Sequence, residues 1–182
     1  MGSAELVVLC DAHGTPIGTA DKATVHTSET PLHLAFSAWL FDASGRLLLS
    51  RRAVTKRTWP GVWTNSFCGH PGPGEATEDA VVRRASQELG IAPDALADIR
   101  CVLPDFRYRA VDASGVVENE ICPVYAVRLA SGSQLHPHPL EVEDYQWVDP
   151  RDLLTAAQAT PFVFSPWLVL ELADERLQAV FS

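Results

Sequence analysis

The sequence predicts a mixed α/β sandwich, and three observations carry that prediction. Apolar runs of strand length recur along the chain, folded back at Asp42-Ala43-Ser44-Gly45 and at Asp112-Ala113-Ser114-Gly115. One segment between them, Glu75 to Leu89, has its apolar residues at helical spacing. Near the end, Ser165-Pro166 pairs an N-cap residue with proline at the first helical position. Strands with one helix embedded among them and another at the end give an α/β architecture with a mixed sheet.

The elements follow in order. Leu6 to Cys10 is a short N-terminal strand closed by the turn Asp11-Ala12-His13-Gly14. Leu32 to Phe41 reads as a largely buried strand, and Arg46 to Arg51 returns as its hairpin partner. Thr64 to Cys68 is another short strand, after which Gly69-His70-Pro71-Gly72-Pro73-Gly74 can only be a loop. In the helix, Ala76, Ala80, Val81, Ala85 and Leu89 share one face, and Gly90 ends it. Ile99 to Arg109 and Val116 to Val127 form a second hairpin, and Glu143 to Val148 is a shorter strand. Asp149-Pro150 opens one helix, and Ser165-Pro166 opens a C-terminal helix from about Trp167 to Val180.

Composition narrows the function classes. A chain of 182 residues without repeats or linkers predicts one domain over residues 1–182, large enough to fold without disulfides. The net charge of −9 argues against non-specific binding of nucleic acid or anionic membrane, so any bound anion needs a local basic cluster. Five of the 14 cations, Arg46, Arg51, Arg52, Lys56 and Arg57, fall within twelve residues and suit phosphate oxygens. The start Met1-Gly2-Ser3-Ala4-Glu5-Leu6 has no basic leader, and no run is long enough to span a membrane. Cys10, Cys68, Cys101 and Cys122 form no CxxC pair. These features predict free thiols and a cytoplasmic protein.

Residues 69–91 carry the first motif. Gly69, Glu75, Arg83, Glu88, Gly90 and Ile91 fit the pattern Gly-x5-Glu-x7-Arg-Glu-U-x-Glu-Glu-x-Gly-U, with U apolar. This stretch resembles the Nudix box, which implies a Nudix-like α/β/α sandwich. In that family the helix presents carboxylates that hold divalent metal against a diphosphate. Arg84 and Gln87 stand where the family has glutamates. A cation at position 84 can bind a diphosphate but cannot help water attack it, so the substrate is expected to be held rather than cut.

Further blocks narrow the resemblance. Trp63 to Pro71, Phe106 to Ala110, Glu118 to Pro123, His26, Leu32 to Phe36 and the pair Arg51-Arg52 together resemble the type I isopentenyl-diphosphate isomerases. Members of that family move a proton across an allylic system through a tertiary carbocation. The resemblance implies Cys68 and Glu120 as the acid–base pair, with Tyr108 and Glu118 assisting. It implies one divalent ion (Mn, Mg or Zn) held by His26, His33, His70, Glu118 and Glu120. It further implies a Mg²⁺ that accompanies the diphosphate, with Glu88 and Cys68 in the metal-contacting set. Lys22, Arg52, Lys56 and Arg84 are assigned to the diphosphate of a small prenyl substrate. No flavin motif is visible.

Two finer expectations can be checked against geometry. Glu118 and Glu120 alternate on one strand face. A turn from Val111 to Gly115 gives pairing by i + j = 226, with Tyr108 opposite Glu118 and Phe106 facing Glu120. Phe162, in Thr160-Pro161-Phe162 where relatives commonly carry Trp, is expected to line the pocket above Cys68 and offer a π face to the cation. Trp63 or Trp39 is the alternative source of that face. Two rival functions stay open: hydrolysis of a nucleoside or prenyl diphosphate, and non-catalytic diphosphate sensing.

Overall fold

The computed structural model describes residues 5–181, so the Met1–Ala4 start lies outside the described residues. Twelve strands form two sheets. The larger, seven-stranded sheet runs β12 (Val142–Val148), β5 (Leu47–Arg52), β4 (Phe36–Phe41), β11 (Val124–Leu129), β8 (Leu96–Leu103). Short β6 (Trp63–Thr64) pairs with β5, and β7 (Phe67–Gly69) with β4. The five-stranded sheet runs β2 (Pro16–Asp21), β1 (Leu6–Cys10), β3 (His33–Leu34), β10 (Val117–Ile121), β9 (Arg107–Val111).

Strand β4 shows why the large sheet is covered on both sides. All six of its residues are buried, and alternate side chains point to opposite faces. Phe36, Ala38 and Leu40 pack with Ala80, Val81, Ala85 and Leu89 of α1 (Thr77–Leu89). Trp39 and Phe41 pack on the other side with Leu153 and Ala157 of α2 (Pro150–Ala159), Leu168 and Leu172 of α3 (Pro166–Leu172), and Leu177 of α4 (Glu175–Gln178). The result is the expected α/β/α sandwich. Among the described residues no helix is long and apolar enough to cross a membrane, and all four cysteines are free.

Several runs read as single elements are divided. The run 32–41 changes sheets at Ala35, and the run 116–127 changes sheets at Cys122-Pro123. These crossings happen side by side. β3 pairs parallel with β10, β4 pairs parallel with β11, and Ala35 N donates to Ile121 O at the junction. The run 99–109 likewise breaks into β8 and β9. The C-terminal helix is two short ones separated at Ala173-Asp174, where Asp174 caps the second.

The β9–β10 register differs from the expected one. Val117 pairs with Val111, Glu118 with Ala110 and Glu120 with Tyr108, so the sum is 228 rather than 226. A slip of two residues preserves the face, so Tyr108, Glu118 and Glu120 still point the same way. The physical cause is the turn. Asp112 N donates to Val116 O, and the Asp112 carboxylate accepts from Ser114 N and Val116 N, which moves the turn's centre along the chain.

Candidate active site

The site sits at the junction where β3→β4 and β10→β11 pass between the sheets. A cavity of about 280 Å³ opens there. Cys68 reaches it from β7 of the large sheet, while Glu118 and Glu120 reach it from β10 of the small sheet. The loop between β2 and β3 supplies His26, and the loop before α1 supplies His70. His33 is fully buried in β3, directly opposite Glu120 in the parallel pair.

Side chains of His26, His33, His70 and Glu120 place one potential ligand atom each within 4.8 Å of one another. Glu118 Oε2 lies 3.0 Å from His26 Nε2, and His70 Nε2 lies 3.1 Å from Glu120 Oε1. His26 Nε2, His33 Nε2, His70 Nδ1 and Glu118 Oε2 are buried with no hydrogen-bond partner. Orphaned buried polar atoms are costly, and a converging group of them is what a divalent ion would satisfy. His33 supplies the supporting detail. Its Nδ1 lies 2.9 Å from Pro31 O, so the proton belongs on Nδ1 and Nε2 presents its lone pair to the cluster. The residues fit a metal.

The reacting groups lie beside this cluster. Tyr108 Oη donates to Glu120 Oε2 at 2.9 Å. Burial pushes Glu120 up, but the neighbouring His33 and His70 rings more than offset it and hold its carboxyl well below the usual range. Burial, with the Glu88 charge adding, pushes the Cys68 thiol up to about 12, so it carries its proton. Burial also raises Tyr108 well above the usual phenol.

Cations also line the cavity: Lys22, Arg52, Lys56, Arg57 and Arg84. The basic run seen in the sequence therefore divides. Arg46 pairs with Asp42 in its own turn, and Arg51 donates to Gly61 O; neither lines the cavity. Gly69 makes room for Arg84, because a Cβ there would meet Arg84 Cγ at 2.6 Å. Arg84 pairs with Glu88 one helical turn on, and with Glu141. Glu75 has a different duty. It accepts two bonds from Arg83 and one from Gly72 N, which ties the loop to the helix. Gln87 accepts from Arg83 and Arg84.

Phe162 is not in this site. Its side chain is 85% exposed and does not line the cavity, because it sits in a single 3₁₀ turn between α2 and α3. Trp63 and Trp39 do not line it either, and Trp39 Nε1 points away to Glu171. The aromatic wall is Trp167, which the sequence marks only as the start of the C-terminal helix. Its ring is buried, 5.6 Å from Tyr108 and 5.2 Å from Trp59, with the Arg52 guanidinium 5.5 Å from its centroid.

Asn65 was also missed. This fully buried amide donates to Ser37 Oγ, Ala38 O and Phe67 O, and accepts from Thr64 Oγ1 and Trp167 Nε1. It thereby fixes the Trp167 ring to β4 and to the strand that carries Cys68. A buried amide at a position flanked by Trp63-Thr64 and Ser66-Phe67 was the available signal.

Comparison with known proteins gives the family. The NUDIX domain family model matches residues 31–168, so the chain belongs to the NUDIX family. A Deinococcus radiodurans crystal structure superposes with a TM-score of 0.65 at 22% identity, covering 86% of this chain and 90% of that one. A MutT NUDIX hydrolase from Burkholderia pseudomallei gives 0.58 at 24% identity, covering 78% and 96%. At those identities the likeness is one of fold. Sequence relatives are closer. A Corynebacterium glutamicum isopentenyl-diphosphate Delta-isomerase is 59% identical over 98% of this chain and 95% of its own length. The enzyme of that name from Clavibacter michiganensis is 62% identical (92% and 84%), and the one from Escherichia coli is 52% identical (98% and 95%). Within the NUDIX fold, this chain belongs to the isopentenyl-diphosphate Delta-isomerase family.

Proposed function

We propose that this chain interconverts isopentenyl and dimethylallyl diphosphate, with Cys68 and Glu120 as the two proton-transfer groups. The observation that supports it best is that one cavity is lined both by candidate proton-transfer groups and by a set of cations. Cys68, Glu120 and Tyr108 line it, and so do Lys22, Arg52, Lys56 and Arg84. The cations bind and orient the diphosphate through charge-assisted hydrogen bonds. That leaves the hydrocarbon tail against Trp167, Tyr108, Phe36 and Cys122.

Adding a proton to the terminal alkene carbon leaves a tertiary cation. Removing a proton from the carbon on the diphosphate side of that centre restores a double bond in its new place. One proton enters and one leaves, so the group that acts as acid in one direction acts as base in the other. Cys68 and Glu120 approach from different sheets, as a transfer on two sides of the substrate requires. Tyr108 Oη, bonded to Glu120, holds that carboxylate and can pass a proton to it. Trp167 excludes water and offers a π face to the cation.

A divalent ion held by His26, His33, His70, Glu118 and Glu120 would fix the two glutamates and tune their acidity. Mg²⁺ would accompany the diphosphate beside Glu88. The single domain spans 1–182 and works in the cytoplasm. Hydrolysis is the weaker reading, because positions 84 and 87 present no carboxylates to water: Arg84 pairs with Glu88 and donates to Gln87.

The test is to incubate the protein with isopentenyl diphosphate and Mg²⁺ in D₂O, following alkene signals by NMR and phosphate release together. Dimethylallyl diphosphate with deuterium incorporation and no free phosphate is the expected result. Phosphate without the dimethylallyl product would overturn it.

A further inference from the structure

We propose that Glu141 is a built-in counter-ion of the diphosphate clamp, and that it makes the clamp select a magnesium-complexed diphosphate over the free anion. This rests on the reading of Lys56 and Arg84 as diphosphate ligands. The Glu141 carboxylate lines the cavity and pairs with both cations, through Oε2 to Lys56 Nζ and Oε1 to Arg84 Nη2. The second carboxylate on Arg84 is Glu88. Lys56 and Arg84 are therefore already neutralised before any ligand arrives.

The placement of Glu141 is built by the backbone and is not left to a loose loop. Ala53 N donates to Glu141 O, and Glu141 N donates to His138 O. His138 N in turn donates to Glu88 O, and His136 N to Leu89 O, at the last turn of α1. These bonds tie Glu141 to the same helix end that carries Glu88 and to the loop that carries Lys56. Lys56 and Arg84, by their charges, hold the carboxyl down at about 2 despite its burial, so it stays ionised at any working pH. Lys22 has a comparable partner in Glu5, but the Glu5 side chain is 47% exposed against 24% for Glu141, so solvent screens it more.

The consequence is electrostatic. An incoming diphosphate must take Lys56 and Arg84 from Glu141, which leaves that carboxylate facing phosphate oxygens at short range. Like charges in a half-buried site repel strongly. A Mg²⁺ carried by the diphosphate removes the conflict, because a hard cation accepts carboxylate oxygens alongside phosphate oxygens. Free diphosphate meets the repulsion, and the magnesium complex does not.

Calorimetric titration of inorganic pyrophosphate, in chelator and in saturating Mg²⁺, tests this without any alkene chemistry. The wild-type protein should bind the magnesium complex at least about tenfold tighter than free pyrophosphate. Glu141→Gln should bind free pyrophosphate about tenfold tighter than the wild type and lose most of the Mg²⁺ gain. Glu141→Ala should move in the same direction. Equal wild-type affinity for the two forms overturns the proposal with no variant needed. So does a Glu141→Gln variant that binds free pyrophosphate no tighter than the wild type. Failed isomerisation with the Mg²⁺ preference intact would remove the assigned reaction and leave the role of Glu141 standing, whereas loss of all pyrophosphate binding would remove both.

Discussion

Glu171 is a carboxyl with no exposure to water and no cation beside it, and its cost should be readable as a pH dependence of stability. It lies on α3, where Oε2 accepts from Ser37 Oγ at 2.9 Å and Trp39 Nε1 at 2.7 Å, while Oε1 is buried without a partner. Burial pushes the carboxyl up to about 8 from an ordinary value of 4.5. Between those values the folded protein keeps a proton that the unfolded chain has released. Its contribution to stability is therefore fully present below pH 4.5 and is lost as pH rises towards 8. At about 1.4 kcal/mol per pH unit, moving from about pH 5 to about 7.5 should remove about 3 kcal/mol. Glu171→Gln keeps an acceptor for Ser37 and Trp39 but cannot ionise. Its amide nitrogen takes the place of Oε1, where no partner waits, at a pH-independent cost of about 1–3 kcal/mol. The variant should thus be less stable than the wild type at about pH 5 and more stable at about pH 8, with the curves crossing near about pH 6. Urea denaturation of both proteins across that range measures the difference, and in it the histidine cluster cancels. A difference that stays constant with pH would refute the reasoning.

Other predictions follow from the site. Cys68→Ala and Glu120→Gln should each lower turnover by about 10²- to 10⁴-fold while pyrophosphate affinity, read by calorimetry, stays within about threefold. Trp167→Leu should lower kcat, whereas Phe162→Leu should leave kcat and KM unchanged because that ring faces solvent; steady-state kinetics separates the two. Stripping divalent metal with a chelator should lower the melting temperature, and restoring Mn²⁺ or Zn²⁺ at about 100 times its Kd should recover about 2.7 kcal/mol. His33→Ala should abolish that recovery if the orphaned nitrogens are the ligand atoms.

The helix of the Nudix-like box was legible because three signals agreed: apolar spacing, Gly69 before it and Gly90 after it. Gly69, legible only as a loop residue and a motif position, is in the structure a point of close approach, and the approaching group is Arg84. The division of the strands was not legible. Leu32 to Phe41 is one apolar run, since both sheets bury it, and burial alone does not say to which sheet a residue belongs. The register error has a sharper origin. Asp11, Asp42 and Asp112 each open the same turn, in which the Asp N–H donates to the carbonyl four residues on and the glycine three residues on has positive φ. That is the hairpin loop with a left-handed glycine, and its register is fixed by the glycine. Aligning the three copies would have set the sum at 228.

The choice between Phe162 and Trp167 turns on caps. Pro161-Phe162 and Pro166-Trp167 look equivalent as proline–aromatic pairs, yet the residue before each proline does opposite work. Thr160 closes α2: its N–H donates back to Ala156 O, so the chain beyond it has left the helix and Phe162 turns outward. Ser165 opens α3: it is fully buried, its Oγ accepts from Leu168 N and lies 2.8 Å from Thr64 Oγ1, and its N–H donates to Trp63 O. A helix start pinned at both side chain and backbone to the strand before Asn65 and Cys68 has one direction in which its first large residue can point. Trp167 follows that direction into the cavity, and Asn65 Oδ1 receives its N–H there. The aromatic wall is thus a consequence of where α3 begins.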